Sequence, residues 1–261
     1  MDIHVDRERE LACLASMVNA PEDLRRIMLL GGEDGSGKTA FLNKAFSLYS
    51  GVTAVSWVDL KQKSGPVELM DHIATEFAAQ GVALDQYHAA AADSTELPKV
   101  SVEFNKSKLT GSPVDVAIRG GVSREDRIRD LLLRMMNDLD KWRGPMRRLI
   151  LLDNYEEAST DMSRWLADTL IPRLAYNRST VCVITGRQPP VLSSPPVRQK
   201  SEHFTLRPLG EDHIRQWLVA AGLARAADDK TSFLWKATLG LPGILAILIG
   251  NLVLTSSRDP E

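Results

Sequence analysis

The apolar run Ile27-Met28-Leu29-Leu30 leads through Gly31 into Gly32-Glu33-Asp34-Gly35-Ser36-Gly37-Lys38-Thr39, and a helical pattern resumes at Ala40. The spacing G-x-x-x-x-G-K-[ST] between a strand and a helix leaves such a chain few ways to fold. The glycines let successive backbone N–H groups turn inward at the positive end of the following helix, which makes a cradle for phosphate. Lys38 is placed to reach the β- and γ-phosphates, and the Thr39 hydroxyl is placed to ligate Mg²⁺. Residues Gly32 to Ala40 are therefore the expected nucleotide-phosphate contacts.

The rest of the chain repeats the theme. Val52 to Val58 is β-rich, Leu149-Ile150-Leu151-Leu152 and Val181-Cys182-Val183-Ile184 are uninterrupted apolar runs, and His203 to Leu206 reads as a last strand. Helical spacing separates them, at Thr39–Leu48, Val67–Ala79 and Trp165–Leu174. Another long helix carries Ile128, Leu131, Leu132, Met135, Leu139 and Trp142 on one stripe. Asp6 to Met17 forms a short helix before the first strand, and His88 to Thr95 is Ala-rich and ambiguous. Four prolines stop regular structure over Gln188–Pro196. The alternation predicts an α/β fold, a parallel sheet of about five strands covered by helices on both faces. Val100–Phe104 and Val114–Ile118, with Gly111 between them, predict an inserted β-hairpin. From Leu209 the pattern is helical only, so residues 1–208 are expected to form the α/β domain and residues 209–261 a small helical lid.

Composition narrows the partners. Charged residues make up 25% of the 261 and the net charge is −2, so no global field favours nucleic acid or membrane. Two basic stretches, Arg143 to Arg148 and Arg119 to Arg129, read as solvated helix faces. The only two cysteines, Cys13 and Cys182, lie in apolar patterns, which suits reduced thiols and excludes a Cys-rich zinc site. No secretory leader is seen, and the apolar stretch Leu241–Leu254 is too short to span a bilayer. A soluble, cytoplasmic protein is expected. The five histidines show no ligand spacing.

A phosphate loop needs an acidic partner for its metal. Asp153 follows the Leu149–Leu152 run, at the strand end where open α/β sheets place ligands, and is the expected second Mg²⁺ contact. Hydrolysis also needs a group that orients water. The position after Asp153 is Asn154; Glu156, three residues on, is the candidate base and Glu157 the alternative. Slow hydrolysis follows from that arrangement. Thr185-Gly186-Arg187 ends the next strand, from which Arg187 is positioned to sense a γ-phosphate by charge-assisted hydrogen bonds.

Together these residues resemble the STAND class of P-loop ATPases, AAA+ relatives that act as signalling switches. His4-Val5-Asp6-Arg7-Glu8-Arg9-Glu10-Leu11 is similar to the family's N-terminal element that contacts adenine, with Asp6 where a glycine is usual. The spacing Asp153-x-x-Glu156 looks like the branch nearest the origin-recognition ATPases. Val183 to Arg187 resembles the Thr-x-Arg element, with Thr185 and Arg187 at its fixed positions. Phe204 to Leu209 resembles the step into a helical lid, and Gly240-Leu241-Pro242 the lid signature whose proline, here Pro242, packs near the adenine.

The resemblance implies ATP or ADP with Mg²⁺, an ADP-held monomer, and an ATP-bound homo-oligomer coupled to fused or separate sensor and effector domains. It also implies work in immunity, cell death or regulatory signalling. The second reading is a DNA-associated AAA+ ATPase of the initiator or transposition-regulator type, with Lys106, Lys108 and Arg119 of the hairpin on DNA. Near-neutral charge ranks it second. A degenerate, non-hydrolysing nucleotide-binding scaffold is the third; intact Lys38, Thr39 and Asp153 weigh against loss of binding, though not against loss of hydrolysis. An arginine finger from a neighbouring copy is not assignable; Arg173 and Arg178 are candidates.

Overall fold

In the computed structural model, residues 7–93 and 123–256 are described. The expected hairpin, with Lys106, Lys108 and Arg119, lies outside them, as do residues His4 to Asp6 of the N-terminal element.

The chain runs α1 (Glu8–Asn19), β1 (Ile27–Gly31), α2 (Lys38–Tyr49), β2 (Val55–Asp59), α3 (Pro66–Ala79), α4 (Asp85–Asp93) and α5 (Arg124–Asp140). It continues through β3 (Arg148–Asp153), α6 (Thr160–Trp165), α7 (Ile171–Tyr176), β4 (Thr180–Gly186), α8 (Pro195–Gln199) and β5 (Ser201–Thr205). Three helices close it: α9 (Glu211–Ala220), α10 (Ala224–Thr238) and α11 (Pro242–Ser256). The five strands form one sheet in the order β2-β3-β4-β1-β5, every neighbouring pair parallel.

Period-2 geometry sorts each strand's side chains onto two faces. Ile27 and Leu29 of β1, Ile150 and Leu152 of β3, and Cys182 and Ile184 of β4 point into one core, with α3, α5, α6 and α7. Met28, Leu30, Leu149, Leu151, Val181 and Val183 point into the other, with α1 and α2. Uninterrupted apolar runs are thus required, because both faces are covered. The stripe on α5 packs with Leu131, Leu132, Met135 and Leu139 buried and Ile128 partly so, but Trp142 lies past the helix end at Asp140 and reaches the same core from the following turn. Ser123 caps the helix by accepting the Asp126 N–H at 3.1 Å. A third core, built on Leu209, Ile214, Leu218, Leu234 and Leu245, belongs to α9–α11.

Several boundaries differ from the sequence expectation, each for a local reason. β2 starts at Val55 because the N–H groups of Val52 and Thr53 turn back to the Tyr49 carbonyl. His88 to Asp93 is helical, since Asp138 accepts the Tyr87 N–H and holds the start of α4. The proline-rich loop is cut short by α8, which begins on Pro195, a residue preset for a first helical turn. A π-turn over Leu166–Leu170 joins α6 to α7.

The stretch Arg143 to Arg148 is not a solvated helix face. Helix α5 ends at Asp140, and Arg147 and Arg148 are buried. Arg148 opens β3, lies over the Phe77 and Trp142 rings, and donates to the Leu139 carbonyl and Ser179 Oγ. Burial pushes its guanidinium down to about 10. Cys13 is half-buried, Cys182 is buried, and both are free thiols. Among the described residues no helix is long and apolar enough to cross a membrane.

Candidate functional site

The loop from Gly32 to Gly37 crosses the C-terminal edge of β1 and delivers the chain into α2. Gly32 has φ +153°, and a Cβ there would stand 2.6 Å from Ser36 Oγ and 2.9 Å from the Leu206 carbonyl, so no larger residue fits. Lys38, the first residue of α2, is 8% exposed and folds over the loop. Its ammonium donates to the carbonyls of Gly32 at 2.7 Å and Glu33 at 3.0 Å. Arg7 donates to the Ser36 carbonyl at 3.1 Å and the Arg207 carbonyl at 2.9 Å, tying the loop to the strand of chain that leaves β5.

Beside the loop, β3 and β4 are neighbours, so Asp153 and Thr185 meet at the sheet edge as the sequence reading requires. Asp153 is 3% exposed and both its oxygens are engaged. One accepts the Thr39 hydroxyl at 2.8 Å; the other accepts the Asn154 N–H at 2.9 Å and the Thr185 hydroxyl. The arrangement places a carboxylate and a hydroxyl side by side at the start of α2, the donor set that a hard divalent cation with phosphate takes.

Glu156 sits in the 3-10 turn Tyr155–Glu157 and faces Arg187. One carboxylate oxygen accepts the Arg187 N–H at 3.1 Å, and the other lies 3.7 Å from its Nε. The same Nε is 3.1 Å from Asp34 of the loop. Arg187 therefore bridges the phosphate loop to the candidate base. Both Arg187 and Asp34 are more than half exposed, so the bridge is weak and easily exchanged for another anion.

These groups surround a cavity of about 430 Å³, a size that takes one small organic ligand. Arg7, Asp34, Gly35, Ser36, Gly37, Lys38, Thr39, Ala40, Glu156 and Pro242 line it. Gly32, Glu33, Asp153, Thr185 and Arg187 stand behind that wall, as the partners described above. The Ser36 hydroxyl is buried with no hydrogen-bond partner among the described residues, an orphan that a bound acceptor would satisfy. With the Thr39–Asp153 pair, it makes the residues fit a phosphate ligand and Mg²⁺.

The opposite wall comes from the C-terminal helices. Gly243 donates its N–H to the Gly35 carbonyl at 3.0 Å, and a Cβ on Gly37 would meet the Pro242 ring at 3.7 Å. Trp217, Leu209 and Ala246 complete an apolar side. Gly240 holds this wall in register. Its φ is +73°, the Leu209 N–H bonds its carbonyl at 2.7 Å, and a Cβ there would overlap the Leu209 carbonyl oxygen.

Sequence reasoning missed Asn154 as a lining residue, and Asp59, which accepts the Asn154 side-chain amide at 2.9 Å. Asn154 has φ +59°, a conformation asparagine tolerates better than most residues. Asp59 joins it only because β2 pairs with β3, a fact carried by no local pattern. Trp217 and Ala246 have no spacing signal at all.

A family model described as an AAA domain matches residues 22–189. Among curated proteins, none matches. Solved structures with a similar fold include Cdc6p from Pyrobaculum aerophilum, at 15% identity and TM-score 0.50, covering 85% of this chain and 50% of that one. A Walker-type ATPase of Pyrococcus abyssi matches at 13% identity and TM-score 0.52, over 94% of this chain and 67% of that one. A Drosophila ORC chain, from a complex with DNA, matches at 14% identity and TM-score 0.50, over 97% and 64%. The chain thus spans half the length of the Cdc6p chain and about two thirds of the other two.

Proposed function

Given that the chain belongs to the AAA domain family, we propose that it is an adenine-nucleotide switch with slow Mg²⁺-dependent ATP hydrolysis, in which nucleotide state controls the position of the C-terminal helices and assembly with other copies. The observation that carries this reading is the hydrogen bond from Gly243 at the start of α11 to the Gly35 carbonyl of the phosphate loop. A loop that rearranges around phosphates changes that contact directly, so the lid reads the occupant.

Arg187 supplies the discrimination between ATP and ADP. A γ-phosphate is a stronger partner than the exposed Asp34 carboxylate, and taking Arg187 frees Glu156 to orient water. Thr39 and Asp153 would hold Mg²⁺, which neutralises phosphate charge when bound. With Asn154 after Asp153, the water-orienting role falls to Glu156, two positions further from the metal ligand, and slow turnover follows.

The test is the nucleotide carried by freshly purified protein, released by acid and identified chromatographically. Near-stoichiometric ADP that exchanges slowly supports the switch. An empty site with fast exchange and steady turnover removes it. The DNA-associated reading is favoured by one observation, the fold shared with Cdc6p and with ORC in its DNA complex. A DNA affinity that falls steeply with salt would put that reading first.

A further inference from the structure

A cavity larger than the nucleotide site lies elsewhere among the described residues. It is a groove of about 920 Å³ at the opposite end of the sheet, where β1, β3, β4 and β5 begin. Its lining includes five cationic side chains, Arg26, Arg143, Arg147, Arg178 and Lys200, against one carboxylate, Asp140. For a chain of net charge −2, this is a local concentration of positive charge.

The cations are of two kinds. Arg26 and Arg147 form the floor and are 6% and 8% exposed. Their N–H groups are already committed to backbone carbonyls: Arg26 to Asn177, Asp23 and Arg25, and Arg147 to Met17, Ala20, Pro21 and Arg178. Carbonyls satisfy these donors without cancelling the charge. Burial and the repulsion of Arg147 together push Arg26 down to about 10. Asp23 and Glu22 offset part of the charge on Arg147, and Asp23 part of that on Arg26. Asp23 pairs with Arg25 at 2.7 Å, and Asp140 accepts the Asn177 side-chain amide at 2.9 Å. The remaining cations stand at the rim, with Lys200 over the Tyr176 ring at 5.3 Å.

Between floor and rim the walls are apolar. Leu24 is 66% exposed and Tyr176 58%, and Trp142 and Met146 lie beside them. Solvent-facing aromatic and aliphatic surface of this kind, inside a concave basic frame, marks a binding surface.

We propose that this groove docks an acidic segment of a protein partner, with one bulky apolar side chain seated against Tyr176, Leu24 and Trp142 and its carboxylates at Arg143, Arg178 and Lys200. A peptide fits better than a nucleic acid. The cations flank aliphatic surface, Leu24 and Met146 beside Tyr176, that seats one side chain rather than stacking successive bases, and the two central arginines are spent on carbonyls. They supply field, which steers and orients an acidic chain. The docking face lies at the far end of the sheet from the nucleotide, so both are open to partners at once. The inference stands whether or not the switch reading does.

The test is a selection of displayed random peptides on the full chain, counter-selected on an Arg143→Glu/Lys200→Glu variant. Enriched peptides are then synthesised and titrated by fluorescence anisotropy. The expected peptides are rich in Asp and Glu around a single aromatic residue or leucine. Their affinity falls roughly tenfold or more on the double variant and about fivefold on Tyr176→Ala. Both variants change exposed or rim groups, and unchanged ATP affinity and thermal midpoint show that they fold. The proposal is overturned if no peptide distinguishes wild type from variant, or if the selected peptides lack acidic bias. It is also overturned if a single-stranded or duplex oligonucleotide binds the groove more tightly and displaces them, or if a second copy of the chain does.

Discussion

The Thr39 hydroxyl donates to Asp153 across 2.8 Å, joining the first turn of α2 to the end of β3 from positions 114 residues apart. The pair fixes where a divalent ion and a phosphate oxygen would meet. Replacing Asp153 with Asn presents an amide to two hydroxyls and removes the hard anionic ligand. The expected outcome is a drop of about tenfold or more in Mg²⁺-dependent ATP affinity. Nucleotide binding in excess chelator changes much less, and calorimetric titration with and without Mg²⁺ separates the two.

Lys38 bonds to two loop carbonyls that it would trade for phosphate oxygens. Lys38→Ala is expected to cost about a hundredfold in ATP affinity with little change in thermal midpoint. Unchanged affinity in a nucleotide titration would remove the phosphate-loop assignment.

For Glu156→Gln the expectation is a fall in turnover of roughly a hundredfold with ATP affinity preserved. A single-turnover assay decides. If turnover is measurable and unaffected, the water-orienting group is Glu157 or Asp59 instead, since Asp59 stands beside Asn154.

Gly240→Ala forces a side chain into the left-handed region and onto the Leu209 carbonyl. Destabilisation of the C-terminal helices by about 2–4 kcal/mol is expected. The readout is limited proteolysis: cleavage within α9–α11 accelerates while the α/β core stays resistant, and nucleotide affinity falls with the loss of the Gly243–Gly35 hydrogen bond.

Asp138 is buried, and burial alone would raise its carboxyl; the Lys141 ammonium and the Tyr87 N–H hold it below the ordinary value instead. A carboxyl depressed in the folded state contributes stability above its unfolded pKa and loses it as pH falls through the folded value. Asp138→Asn is expected to cost about 1–3 kcal/mol near pH 7, a gap that closes from about pH 4 downward. Urea unfolding at about pH 7 and about pH 2.5 tests it; a gap that stays constant between them refutes the sign.

The parts of this structure legible in the sequence were those written in contiguous residues. β1, β3 and β4 announce themselves because both faces of each are buried, and the phosphate loop because its glycines answer to backbone geometry. Strand order is not local, so the meeting of Asp59 with Asn154 was invisible, although the neighbouring Asp153 was not. The cationic groove shows the same limit from another side. Arg26, Arg147 and Lys200 each precede a different strand, and only a parallel sheet gathers residues before strands at one end. Arg147 and Arg148 even read as solvent-facing, because their burial depends on carbonyls and rings supplied by α1, α3 and the chain before β4.

The strand order also sets a timetable. β1 is made at residues 27–31, yet the strands that flank it, β4 and β5, are made only at residues 180–186 and 201–205. At roughly 5–20 residues per second on a ribosome, the loop-bearing strand waits on the order of ten seconds with both of its edges unpaired. Gly243, which closes the cavity, emerges later still. The nascent chain therefore cannot close this cavity on a nucleotide until Gly243 has been synthesised, and ligand occupancy becomes a mark of an assembled sheet.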